Sequence, residues 1–124
     1  MEVVGHVPDL RPCFERATVA IVPVLSGGGT RLKAIEAMSS GRAVVSTRLG
    51  VDGLEVEPGR HALVEDDPHA FGGAVAKLLG DRALRTELAG AARELVERRY
   101  DWRVLGERLS DELAELAASA RRAA

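Results

Sequence analysis

Gly27, Gly28 and Gly29 stand in a row between an apolar run, Val19-Ala-Ile-Val22, and a stretch of helical pattern that opens near Thr30. That stretch carries Arg31, Lys33 and Glu36. These residue types, in this order, suit the binding of an anion. A helix N-terminus has unpaired N–H donors and a partial positive charge. Glycine lets those donors come close and permits positive φ.

Two common phosphate chemistries fail on the residues that follow. A P-loop ends in Gly-Lys-Ser or Gly-Lys-Thr. Here Leu32 precedes Lys33 and Ala34 follows it. A dinucleotide site needs a third glycine in G-x-G-x-x-G, and an acid after the next strand to hold the ribose. Leu32 takes the glycine position, and the next strand ends in Ser46-Thr47. The acid lies on the helix itself, at Glu36. It is either an ordinary solvated helix residue or, at the edge of the buried stripe, an acceptor for a sugar diol.

The elements that must position these residues alternate between strand and helix. Thr18–Val22 reads as a strand buried on both faces. A helix from about Thr30 to Ser40 follows, with Leu32, Ile35 and Met38 as its buried stripe and Ala34 and Ala37 allowing close packing. Gly41 stops it. Arg42–Thr47 reads as a second buried strand and His61–Val64 as a short third. Leu54–Gly59 holds a short strand or turn. Asp67 caps a helix with Pro68 at its first position and Phe71, Ala74, Val75, Leu78 and Leu79 on one side. Asp81 caps the next helix, to about Arg99, with Leu84, Leu88, Ala91 and Leu95 inward. Asp101 caps a last one, with Trp102, Leu105, Leu109, Leu113 and Leu116 at heptad-like spacing, and Ala117–Ala124 is expected to fray. Upstream, Glu2–Gly5 suggests a short strand, and Asp9 a cap for a helix from Leu10 to about Arg16. Leu10, Phe14 and Ala17 share a face there, and Cys13 is expected to be buried.

Alternation of this kind implies an α/β fold with parallel strands and right-handed crossovers. Ligands of such sheets sit beyond the carboxyl ends of the strands. The glycine loop, Thr47–Gly53 and Glu65–Asp67 should share that rim.

The 124 residues suffice for one domain. The net charge of −2 offers no basic surface for nucleic acid. One cysteine cannot close an internal disulfide, which fits a reducing compartment. No apolar run approaches the ~20 residues of a membrane span. Met1-Glu2 lacks the charged and apolar regions of a signal peptide. The expectation is a soluble, cytoplasmic α/β domain or a piece of one. His6, His61, His69 and Cys13 share no metal-ligand spacing, so no metal centre is expected. Ser46 and Thr47 lack a paired base and are read as loop hydrogen-bonding groups. Asp52 and Asp66 are rim acids. Trp102 is expected to pack.

Pro23-Val-Leu-x-Gly-Gly-Gly-Thr-Arg-Leu-Lys-Ala-Ile-Glu-Ala-Met-x-x-Gly-Arg-Ala-Val-Val-Ser-Thr-x-x-Gly resembles the nucleotide-sugar-binding signature of the retaining GT-B glycosyltransferases of family 4, also called group 1. Gly5-x-Val-Pro-Asp-Leu, Asp52-Gly-Leu, His61-Ala-Leu-Val-x-Asp-Asp-Pro and Arg99-Tyr-Asp-Trp102 resemble the flanking segments in the same order. The resemblance implies a partial Rossmann-like fold, the C-terminal half-domain of a GT-B enzyme, with a short parallel sheet, flanking helices and C-terminal helices. It implies that Glu36 bonds the ribose hydroxyls of the donor. Gly28, Gly29 and Thr30 would face its diphosphate and sugar, and Arg31 and Lys33 could touch phosphate. The nucleotide sugar is then a substrate, and no cofactor is implied.

Two departures stand out. Many members carry a second Glu where this chain has Gly28, so the sugar contact is open. The N-terminal acceptor domain of the family is absent, as are the first strands of the donor domain with the Arg and Lys that grip the diphosphate. In the family strand order the Val3-Val4 run would be separated from Val19–Val22 by two missing strands. Either the two runs pair directly or another chain fills the gap, which makes a homodimer an expectation. The expected function is the donor-binding portion of a glycosyltransferase, inactive alone. The alternatives are a stand-alone nucleotide- or protein-binding module without catalysis, and a packing fragment without ligand.

Overall fold

The computed structural model describes residues 2–123. Met1 and Ala124, which enter the readings of the two ends, lie outside the described residues. The elements in chain order are α1 (Arg11–Arg16), β1 (Val19–Val22), α2 (Leu32–Ser39), β2 (Ala43–Ser46), a 3-10 turn at Leu49–Val51, β3 (Leu63–Val64), α3 (Pro68–Gly80), α4 (Arg82–Arg99) and α5 (Trp102–Ala123).

The sheet has three parallel strands in the order β1-β2-β3. Val19 stands opposite Ala43 and Val22 opposite Ser46. Val45 stands opposite Leu63. All of β2 is buried. Its residues alternate between two layers, as strand geometry requires. Val44 packs with Val22 against Ala34, Ala37 and Met38 of α2 and Ala92 and Val96 of α4. Ala43 and Val45 face the other way, onto Ala74 and Leu78 of α3 and Leu88 of α4. Three aspartates start the later helices. Asp67 accepts from the N–H of Ala70 at 2.9 Å, Asp81 from that of Leu84 at 2.9 Å and Asp101 from that of Arg103 at 2.9 Å. Among the described residues no helix is long and apolar enough to cross a membrane.

The α/β class and the parallel sheet are as expected; several local readings are corrected. Glu2–Gly5 forms no strand, and Val3 and Val4 are 81% and 64% exposed. With no strand beside β1 on its outer edge among the described residues, that run has no ladder to join. β1 is for the same reason not buried on both faces: Ile21 is exposed and only Val22 is fully covered. In α2 the buried residues are Ala34, Ala37 and Met38, while Leu32 is exposed and Ile35 half-buried. Leu32 stands in the first turn, at the rim beside the glycine loop, so the sheet covers the positions further along the helix instead.

Leu79 of α3 is exposed, and α4 buries Ala92 and Val96 beside Leu88 and Leu95, with Ala91 only half-buried. α1 buries no residue, so Cys13 is exposed rather than buried, and so is Leu10. Asp9 bonds the N–H of Arg11 at 2.9 Å and pairs with its guanidinium, which holds the Asp9 carboxyl below its usual range. Trp102 does not pack: it is 87% exposed. α5 continues through Ala117 to Ala123 instead of fraying, in keeping with the helix propensity of its Ala and Arg residues.

Candidate functional site: a glycine loop and two hollows along α2

The chain leaves β1 through Pro23 and turns over the carboxyl end of the sheet. Gly27 and Gly29 adopt φ of 119° and 91°, which favour glycine. The loop is pinned from below by β2. The hydroxyl of Thr47 donates to the carbonyl of Val24 at 2.7 Å and accepts from the N–H of Gly50 at 3.1 Å. The buried hydroxyl of Ser46 lies 2.8 Å from the carbonyl of Thr47 and 3.2 Å from that of Val22. Ser46 and Thr47 are thus structural hydrogen-bonding groups, as their lack of a base suggested.

A hollow of about 280 Å³ opens at this rim. Gly28, Thr30, Arg31 and Lys33 line it together, with Ser26 and the close-packed Gly50. Gly29 shapes the loop but is not among the lining residues. Leu32, expected in the core, lines the hollow instead. The N–H groups of Gly28, Gly29, Thr30 and Arg31 find no acceptor among the described residues. No side chain caps the N-terminus of α2. Arg31 folds back so that a terminal N–H donates to the carbonyl of Gly27 at 3.4 Å, and its Nε is buried without a partner. Buried donors of this kind are rare and destabilising unless something accepts from them. The rim therefore offers a cluster of free donors, one guanidinium and the Lys33 ammonium, which suits an oxyanion.

Glu36 lies elsewhere. It lines a second hollow, of about 380 Å³, one turn further along the same face of α2, together with Val7, Pro8, Leu10, Phe14 and the paired Asp9 and Arg11. The Ser39 and Ser40 hydroxyls donate to its backbone carbonyl at 2.9 and 2.8 Å, and its carboxylate has no hydrogen-bond partner among the described residues. The glycine-loop residues and Glu36 thus line separate hollows that follow one another along α2. The apolar wall of the second hollow was not foreseen. It comes from residues 7–14, distant in sequence from α2, and no local pattern points to it.

The remaining rim acids have structural partners or none. Asp66 accepts from the N–H of Arg48 at 2.8 Å and pairs with its side chain, Asp67 caps α3, and Asp52 has no ion-pair partner among the described residues. His61 lies before β3, away from the rim. It is buried, and its Nδ1 accepts from the N–H of Glu57 at 3.0 Å. Burial pushes its pKa down.

Comparison with known proteins agrees with this architecture. The chain is 26% identical over 93 residues to an uncharacterized 44.6 kDa protein in the cps region of Klebsiella pneumoniae, covering 75% of this chain and 24% of that protein. It superposes on the crystal structure of the C-terminal domain of a glycosyl transferase group 1 family protein (LpcC) from Francisella tularensis with a TM-score of 0.68 and 23% identity, covering 80% of this chain and 53% of that one. That likeness shows a shared fold. The chain thus spans about a quarter of the Klebsiella relative and about half of the Francisella domain. The family model for glycosyl transferases group 1 matches residues 1–81, the segment that contains both hollows, and this chain belongs to that family.

Proposed function

We propose that this chain is the donor-binding portion of a retaining family 4 glycosyltransferase, which moves a sugar from a nucleoside diphosphate sugar to an acceptor hydroxyl. The observation that carries the reading is the pair of hollows along α2. One offers free N–H groups, Arg31 and Lys33, and takes the diphosphate. The other offers a free carboxylate and the apolar wall of Val7, Pro8 and Phe14, and takes the ribose diol and base. Along one face of α2 the anion donors come first and the carboxylate one turn later, the order of diphosphate and ribose in such a donor. The donor is a substrate and no cofactor enters. The acceptor site belongs to a further domain, carried by a longer polypeptide or by another chain. The cytoplasm is the compartment this reading assigns.

Titration calorimetry with UDP, GDP and ADP sugars tests the proposal. One of them should bind. Glu36→Ala removes hydrogen bonds from sugar hydroxyls to a charged acceptor, about 1.5–3 kcal/mol, and should weaken Kd about 10- to 100-fold. Equal affinity in the variant sinks the ribose assignment. Absence of heat with all three sinks donor binding altogether. Sugar transfer on joining this chain to an acceptor domain separates an enzyme portion from a stand-alone nucleotide-binding module.

A further inference from the structure

The opposite rim of the sheet has chemistry of its own. Thr18 precedes β1, and Gly41 and Arg42 precede β2, so these residues lie at the amino ends of the strands, away from the glycine loop. They face one side of α4, where Arg82, Thr86, Ala89, Gly90 and Arg93 recur at helical spacing. An open hollow of about 390 Å³ lies between the two walls. Arg42, Arg82, Arg85 and Arg93 line it, with the hydroxyl-bearing Thr18 and Thr86, and no acidic residue does. In a chain of net charge −2 this is a local concentration of positive charge.

These guanidiniums differ in how far they are satisfied. Arg85 is anchored by bonds from one terminal nitrogen to the carbonyls of Leu78 and Leu79 at 2.6 and 2.8 Å. Arg93 pairs with Glu97 at 2.8 Å. Arg82 has no side-chain partner among the described residues. Arg42 donates from a terminal nitrogen to the carbonyl of Ala17 at 3.2 Å, but its Nε is buried and unpartnered. Among the described residues the buried side-chain atoms without a partner are the Nε of Arg31, beside the glycine-loop hollow, and the Nε of Arg42, beside this one. A guanidinium in that condition gains a bond by swinging toward an incoming oxyanion. Arginine forks match phosphate oxygens, and a dianion offsets the charges of Arg42, Arg82 and Arg85, which have no carboxylate partner among the described residues, while Arg93 already has Glu97.

We propose that the Arg42–Arg82–Arg85–Arg93 hollow is a second anion site, separate from the donor rim, that takes a phosphate group. A soluble phosphate ester and an anionic lipid headgroup offer the same chemistry.

Backbone amide NMR of the full chain tests this with inorganic phosphate, at ionic strength held constant with chloride. Saturable shifts at Thr18, Arg42, Arg82 and Thr86 are expected, retained in Glu36→Ala and weakened at least tenfold in Arg82→Gln, an exposed position whose replacement leaves the core intact. Co-sedimentation with phosphatidylcholine vesicles containing phosphatidylglycerol, compared with Arg42→Gln and Arg82→Gln, separates the sources. Arginine-dependent vesicle binding identifies a headgroup, and phosphate binding without vesicle binding identifies a soluble ester. Shifts confined to Gly28–Lys33, or no arginine-dependent response to either probe, overturn the proposal.

Discussion

Gly50→Ala puts the packing beneath the glycine loop to a direct test. Gly50 stands where the 3-10 turn after β2 passes closest to the ends of β1 and β2. A Cβ there would collide with the hydroxyl oxygen of Ser46 and sit 2.7 Å from the carbonyl oxygen and 3.1 Å from Cγ1 of Val22. The backbone at Gly50 does not have positive φ, so the penalty is one of packing and not of conformation. Neither neighbour can yield freely. The Val22 carbonyl accepts from the N–H groups of Val24 at 3.0 Å and Thr47 at 3.3 Å, and Ser46 is completely buried. Overpacking of this kind costs about 1–3 kcal/mol. Displacing the Ser46 hydroxyl adds about 1 kcal/mol. The lower entropy of the unfolded alanine chain returns about 0.4–1 kcal/mol. The expected net loss is about 2 kcal/mol, which lowers the urea midpoint by about 1 M in circular dichroism. Gly73→Ala is the control. It sits exposed inside α3 with nothing near its Cβ, and should gain about 0.5–1 kcal/mol. A Gly50→Ala midpoint equal to that of the parent would refute the close approach.

The other expectations can be checked on the same material. His61 is buried with its pKa held below 6.5, chiefly by burial. Below pH 6.5 the unfolded chain therefore binds more protons than the folded one, so stability is full above 6.5 and declines as the pH falls through the depressed value. His61→Asn, which keeps an acceptor for the Glu57 N–H, should flatten that slope in urea titrations; an unchanged slope refutes the assignment. Asp81→Ala removes the α4 cap and should cost about 1 kcal/mol by denaturation, and no loss would mean that the 2.9 Å bond to Leu84 contributes nothing. The exposed apolar residues of α5 are spaced three, four, four and three apart about Leu109, so two antiparallel copies would bring Trp102 against Leu116, Leu105 against Leu113, and Leu109 against itself. A dimer is the expected species in sedimentation and Leu109→Asp should make it monomeric; a monomeric parent or a variant of unchanged mass refutes the pairing.

What was legible in the sequence was whatever local chemistry decides. Asp67-Pro68 and Asp81 announce helix starts because a carboxylate at the cap and a proline in the first turn act within three residues. Val44 and Val45 announce a buried strand because an unbroken apolar run has few other uses at that length. The glycine loop is legible for the same reason: Gly27 and Gly29 sit at the positive φ that their type suggests.

What failed depends on surroundings. The period of α2 could be read but its phase could not. Leu32 outranks Ala34 in hydrophobicity, yet it opens the helix at the rim, and the covered positions go to Ala34, Ala37 and Met38. Val3 and Val4 look like a strand, but a strand is defined by its neighbour, and β1 has none on that side among the described residues. The candidate site divides along the same line. Gly28, Thr30, Arg31 and Lys33 meet because they are close in sequence, so their cluster was legible. Glu36 follows Leu32 and Lys33 by one turn on the same face of α2, and the other wall of its hollow comes from Val7 and Pro8, far off in sequence. Arg42 and Arg82 lie 40 residues apart and meet only because α4 crosses the amino end of the sheet. An anion site built from one loop can therefore be read along the chain. One built from two separate elements becomes visible only when the packing of α4 against β2 is known, and its unsatisfied guanidinium marks it then.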